Sequence, residues 1–186
     1  MLALHKNLWH KFIQGDRKSL AIIFKKFYEE LFNYGLKLTG SDNITEDSLQ
    51  ELFFKLWKNR NHLTEVNNLK SYLFAAYRHT VYDNLRWYKN DRFSEKSVED
   101  IFIVEFSVED IIIKDQIDTE TRNILLNALN SLSPRQKEAI YLRYFENLDF
   151  ATISSIMQVN IQSVRNFIHR GILSLKELNI KKPTTV

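Results

Sequence analysis

The chain has 186 residues, of which 44% are apolar and 26% charged, with a net charge of +3. That balance can bury one large or two small cores. Four glycines, two prolines and no cysteine argue against a turn-rich all-β fold and exclude a disulfide framework and a thiolate metal site. His5, His10, His62, His79 and His169 show no ligand spacing, so no metal and no cofactor is expected. There is no signal-peptide core and no apolar run of the roughly 18–20 residues that span a bilayer. The expectation is a cytoplasmic protein with no membrane insertion.

The predicted elements are helices. Leu8 to Gly40 reads as two of them, separated near Gly15-Asp16, with Leu20, Ile23, Phe24, Phe27, Tyr28, Leu31 and Tyr34 at three- and four-residue spacing in the second. A third is predicted from about Thr45, with Glu46 and Asp47 at its positive dipole end, to about Arg60. At about 100° per residue Leu49, Leu52, Phe53, Leu56 and Trp57 share its core arc. Asp47, Gln50, Glu51, Phe54 and Lys58 share the opposite arc. That arc is either a solvated face with one stray aromatic or a protein-binding patch with an apolar anchor.

A fourth helix is predicted over about Asn68 to Tyr88. Tyr72, Phe74, Tyr77, Tyr82, Trp87 and Tyr88 alternate there with Lys70, Arg78 and Arg86, and Lys89 follows. Cations hold phosphates and ring faces stack on unpaired bases, yet a small helical domain needs several of these rings in its core. Arg78, Arg86, Trp87 and Lys89, near the helix end, are the better candidates for exposure.

Charge then reverses. Residues 1–90 carry 14 Lys/Arg against 9 Asp/Glu, residues 91–121 carry 3 against 10, and residues 122–186 carry 9 against 4. Net charges of +5, −7 and +5 follow. The acidic stretch repeats Ser-Val-Glu-Asp at Ser97–Asp100 and Ser107–Asp110 and carries Ile101, Phe102, Ile103, Val104, Phe106 and Ile111–Ile113. It reads as a linker whose apolar residues dock on a flanking domain or a partner. Either it is simply solvated, or two basic blocks face polyanions that it avoids or imitates.

In the last block Thr119 to Leu132 reads as a helix with Ile124, Leu125, Ala128 and Leu129 inward. Ser133-Pro134-Arg135-Gln136 is a capping box with proline at the first helical position. The helix that it opens frays near Asn147. Asp149 caps a short helix, Phe150 to Met157. Gln158, Val159 and Asn160 make a turn, and Asn160 caps the final helix. That helix has Ile161, Val164, Ile168, Ile172 and Leu175 on one side and Gln162, Arg165, Asn166, His169 and Arg170 on another. A short helix, a tight turn and a longer helix exposing Arg, Asn and Gln fit helix-turn-helix docking on DNA. The alternative is an ordinary helical hairpin with a basic face. No phosphate loop, nucleophile motif or other catalytic constellation is present, so the chain is not expected to be an enzyme.

These residues resemble the sigma-70 family of bacterial RNA polymerase sigma factors. LSPRQKEAIYLRYFENLDF and NIQSVRNFIHR are similar to the family's type 2 region 4, and TEDSLQELF and SYLFAAYRHTVYDNLR to its region 2. FIQGDRKSLAIIFKKFY is similar to the family's start, and the short two-region layout resembles the extracytoplasmic-function (group IV) class. The resemblance implies an all-α chain: region 2 over residues 8–90, an acidic linker over 91–117, and region 4 over 118–178, with the helix-turn-helix at about 149–170. It implies an alternative sigma factor that directs promoter-specific initiation by core RNA polymerase. Asp47, Gln50, Glu51, Phe54 and Lys58 would bind the β′ clamp helices, with the β flap as a further polymerase contact. Asn68, Lys70, Tyr72, Arg78, His79, Asn84, Arg86, Trp87 and Lys89 would engage the minus-ten element. Gln162, Ser163, Arg165, Asn166, His169 and Arg170 would read the minus-thirty-five element of promoter DNA. The linker would thread the polymerase's nucleic-acid channel, and an anti-sigma factor is an expected partner. The chain departs from the family pattern at Gln158, where glycine is usual, at His79, where asparagine is common, and at Phe167, where arginine is common. The competing readings are a stand-alone helix-turn-helix regulator and, further off, a helical adaptor.

Overall fold

The computed structural model describes residues 2–88, 106 and 119–179. Every regular element among them is helical, and the chain divides into two compact units, Met1–Val98 and Glu99–Val186. The linker outside Phe106, and Lys89, lie outside the described residues.

The first unit contains α1 (Leu2–Ile13), α2 (Arg17–Thr39), α3 (Asp42–Asn59) with a 3₁₀ turn at Arg60–His62, and α4 (Leu69–Tyr88). The break at Gly15-Asp16 falls where the sequence puts it. Gly15 takes φ +95°, and the Asp16 carboxylate accepts the Lys18 and Ser19 N–H groups at the head of α2. α1 begins at Leu2 rather than Leu8. Gly40, at φ +63°, closes α2 with its N–H on the Leu36 carbonyl.

The start of α3 is a correction. The helix begins at Asp42, not near Thr45, because Ser41 is the extended capping residue and Asp42 supplies the acid of the first turn. Thr45 lies inside the helix, buried, with its Oγ1 2.8 Å from Thr39 Oγ1. α3 packs between α2 and α4. The core joins Trp9 and Phe12 of α1, Ile23, Phe27, Leu31 and Tyr34 of α2, Leu49, Leu52, Phe53 and Leu56 of α3, and Leu73, Phe74, Tyr77 and Val81 of α4. Trp57, expected inward, is half-buried instead, with the Arg60 guanidinium 4.3 Å and that of Arg17 5.4 Å from its ring centre. α2 approaches α4 and α3 closely at Gly35. The Tyr77 hydroxyl passes this point to donate to the Thr45 carbonyl at 3.1 Å.

The second unit contains α5 (Thr119–Ser131), α6 (Pro134–Tyr144), α7 (Phe150–Met157) and α8 (Ile161–Asn179). The predicted caps are present. Gln136 Oε1 accepts the Ser133 N–H at 3.0 Å, Asp149 accepts Thr152 N–H at 2.7 Å, and Asn160 accepts Ser163 N–H at 2.7 Å. The Thr152 N–H holds the Asp149 carboxyl below its ordinary value, against a smaller opposing effect of burial. This cap therefore keeps its charge at neutral pH and weakens only as acid protonates it. One inward assignment fails. Ile124 is 42% exposed, because the buried side of α5 runs through Ala128 and Leu129, while on the apolar side of α8 the burial falls on Val164, Ile168 and Gly171. Gly171 matters here: a Cβ on it would meet Ile140 Cδ1 at 2.6 Å, so its bareness lets α8 lie close on α6.

Candidate protein and nucleic-acid interfaces

The outward arc of α3 follows from its core arc. With Leu49, Leu52, Phe53 and Leu56 inside, the residues on the far side of the helix must face solvent. Asp47, Gln50, Phe54 and Lys58 are exposed, and Glu51 is half-buried in an ion pair with Lys55 at 2.8 Å. The Phe54 ring is 64% exposed. A large apolar side chain left outside a full core, within a polar rim, is the composition of a protein contact.

α4 sorts its aromatic residues by helix phase. Phe74, Tyr77 and Tyr82 are buried, and burial pushes the Tyr77 phenol well above its usual range. Tyr72 stands edge-on to Trp9 with ring centres 5.1 Å apart, and is half-buried. Trp87, 77% exposed, is the ring of this stretch that solvent reaches most among those described. The other expected residues divide the same way. Asn68 precedes the helix and accepts the Ser71 N–H at 3.1 Å, Lys70 pairs with Glu30 at 3.0 Å, and Asn84 donates to Ser48 Oγ at 3.0 Å. These three, with Tyr72, make contacts within the fold. Arg78 is half-buried, its guanidinium 4.6 Å from the centre of the Tyr82 ring, whereas His79 and Arg86 are exposed. Asp83, also exposed and neither a cation nor a ring, falls between His79 and Arg86 on the same helical stripe and adds a carboxylate to it.

The two helices α7 and α8 and their turn form the helix-turn-helix. Gln158 adopts φ +55°, ψ +42°, and its N–H reaches the Ser154 carbonyl, the left-handed helix closure that glycine normally makes. An L-residue there stores about 1–2 kcal/mol. Gln158→Gly is accordingly expected to raise the stability of this unit by about 1 kcal/mol, read as a shift of its urea midpoint with unchanged slope. A loss of stability would mean that the Gln158 side chain makes a contact worth more than the strain.

On α8, Gln162, Arg165, Asn166, His169 and Arg170 are exposed together, with Gln162 Nε2 3.2 Å from Asn166 Oδ1. Ser163 is half-buried in the capping turn. The Arg165 guanidinium lies 5.7 Å from the centre of the Phe150 ring, and Arg143 lies 5.0 Å from the same ring while donating to the Leu148 carbonyl at 2.8 Å. Phe167 is half-buried, its ring centre 6.0 Å from the Arg135 guanidinium. The face therefore offers two cations, two amides and an imidazole on one side of a rigid helix. That chemistry can reach phosphates and base edges. No group of three or more His, Asp or Glu side chains gathers as a metal site among the described residues, and no helix among them is long and apolar enough to cross a membrane.

Known proteins share these two modules. The family model described as Sigma-70 region 2 matches residues 23–91, and that described as Sigma-70, region 4 matches residues 122–175. The RNA polymerase sigma factor YlaC of Bacillus subtilis (strain 168) is 23% identical over 165 residues, covering 87% of this chain and 92% of the relative. The ECF RNA polymerase sigma factor SigW of the same organism is 21% identical over 169 residues, covering 88% and 90%. Among solved structures, the sigma factor RpoE from Bartonella quintana, in complex with the anti-sigma factor NepR, is similar with a TM-score of 0.61 and 24% identity, covering 89% of this chain and 99% of that one. CnrH, in complex with the cytosolic domain of CnrY, is similar at 0.64 and 11%, covering 95% and 98%. The two structures bear on the fold; the two family modules, in family order over about two thirds of the residues, bear on descent. The chain belongs to the sigma-70 family of RNA polymerase sigma factors, within its extracytoplasmic-function group.

Proposed function

We propose that this chain, an alternative sigma factor, divides its work among three surfaces. The arc of Asp47, Gln50, Glu51, Phe54 and Lys58 is the contact to core RNA polymerase. The end of α4, with His79, Arg86 and Trp87 foremost and Arg78 beside them, engages the minus-ten element. The face of Gln162, Arg165, Asn166, His169 and Arg170 reads the minus-thirty-five element. The observation that carries this division is the coexistence, on separate units, of a helix face with an exposed Phe54 in a polar rim and of a helix-turn-helix with a basic, amide-rich face. A regulator acting alone has use for the second and none for the first.

The chemistry of transcription stays with the polymerase, and this chain carries sequence preference. Trp87 supplies a stacking platform for one unpaired base, an interaction of about 1–3 kcal/mol, which offsets part of the cost of opening the duplex. Arg165 can bond a guanine edge bidentately. Arg165→Ala is expected to weaken binding to the upstream element by about 1–3 kcal/mol and to relax preference at one base pair. Equal weakening on every sequence would reassign Arg165 to a phosphate. The work takes place in the cytoplasm, where the polymerase is, and an anti-sigma factor is the partner that would hold the chain inactive; the similar sigma factor RpoE, captured with the anti-sigma factor NepR, favours that assignment.

The deciding experiment is promoter-directed transcription by core polymerase with and without the chain. Sequence-dependent initiation only in its presence is the expected result. Tight duplex binding by the chain alone, with no affinity for the polymerase, would establish a stand-alone regulator instead.

A further inference from the structure

Phe106 belongs by sequence to the acidic linker, yet it is 4% exposed and packed against the second unit. Three contacts hold it. Its backbone N–H donates to Asn130 Oδ1 at 2.9 Å, Asn130 Nδ2 donates to its carbonyl at 3.0 Å, and its ring centre lies 5.4 Å from that of Phe145. Phe145 in turn stacks on Tyr141, with ring centres 5.4 Å apart and planes 11° from parallel. The Asn130 amide thus meets both polar groups of one residue, as a neighbouring β-strand would, while the rings receive the side chain. Such a site selects an extended backbone and an aromatic side chain together.

We infer that the amide of Asn130 and the rings of Phe145 and Tyr141 form a docking site for an extended, phenylalanine-bearing segment, and that its occupant is this chain's own linker at Phe106. The docked residue divides the linker. Between Tyr88 and Thr119 the chain could reach about 105 Å at full extension, but between Tyr88 and a docked Phe106 only about 60 Å. Docking therefore sets the reach between the promoter-contacting helices α4 and α8, and it raises the effective concentration of one DNA contact once the other has formed. This consequence rests on the proposed function; the docking itself does not.

The test uses the full chain. Amide hydrogen exchange of Phe106 is expected to be slowed about tenfold or more relative to an unprotected amide, given a bond from a buried residue. Asn130→Ala should remove that protection and leave α6 and α7 protected. Unprotected exchange in the parent chain, or protection unchanged by Asn130→Ala, would overturn the site. A second measurement reads the reach. The chain has no cysteine, so Lys58→Cys and Ser155→Cys place spin labels on exposed positions of the two units without background. Phe106→Ala should add distances beyond the parent's distribution, and an identical distribution would overturn the tethering role. Protection lost as expected, with no sigma activity in the transcription assay, would leave docking intact and remove the proposed function instead.

Discussion

Gly35→Ala is expected to destabilise the first unit by about 2–4 kcal/mol, although alanine is the better helix former by about 1 kcal/mol. The physical reason is a three-helix approach with no spare volume. A Cβ at residue 35 would overlap the Tyr77 hydroxyl, lie 2.8 Å from Tyr77 Cζ and lie 2.9 Å from Thr45 Cγ2. These are buried groups: Tyr77 and Thr45 are fully inaccessible. Either helix α2 moves outward, at an overpacking cost of about 1–3 kcal/mol, or the hydroxyl swings away from the Thr45 carbonyl and leaves buried polar atoms unpaired, at about the same cost. Urea unfolding of the full chain, followed by a probe in the first unit, gives the measurement. Tyr77→Phe removes the atom that the Cβ strikes first, so the double variant should be more stable than the sum of the single changes by about 1 kcal/mol or more. A Gly35→Ala chain as stable as its parent would show that the helices do not approach this closely.

The second large effect is on assembly rather than stability. Glu51→Arg is expected to reduce affinity for core polymerase by tenfold or more, in line with the loss of about 2 kcal/mol that marks a hot-spot residue. The stability cost should be small. Glu51 is half-buried and pairs with Lys55 at one helical turn, and replacing that pair by a like-charge pair costs a few tenths of a kcal/mol. The same chain should keep the upstream-element binding of its second unit. Loss of both activities would indicate misfolding, and loss of neither would remove the α3 face from the polymerase contact. Phe54→Ala, which leaves the charges alone, separates the ring's contribution from that of the carboxylate.

Much of this was legible in the chain before any coordinates. The caps at Asp149 and Asn160 are local events, in which a short side chain satisfies an N–H three residues on. Sequence neighbours decide them. The outward arc of α3 was legible for a similar reason, since 100° periodicity needs only one helix. The α4 stretch was not legible to the same degree. Its rings and cations alternate in sequence, and their number alone cannot say which face the neighbouring helices cover. Packing against Trp9 took Tyr72, the core took Phe74, Tyr77 and Tyr82, and Trp87 was left out.

By itself the sequence determined the helical class, the separation of two basic blocks by an acidic one, the caps and the family motifs. All of these depend on residue type and spacing along one strand of chain. The tertiary structure decided which of several like residues are spent on packing, that Gly35 is demanded by close helix approach, and that Asn130 receives Phe106 from 24 residues away. Those are contacts between segments distant in sequence. No local pattern encodes them, because each side chain's partner is chosen by the arrangement of whole helices.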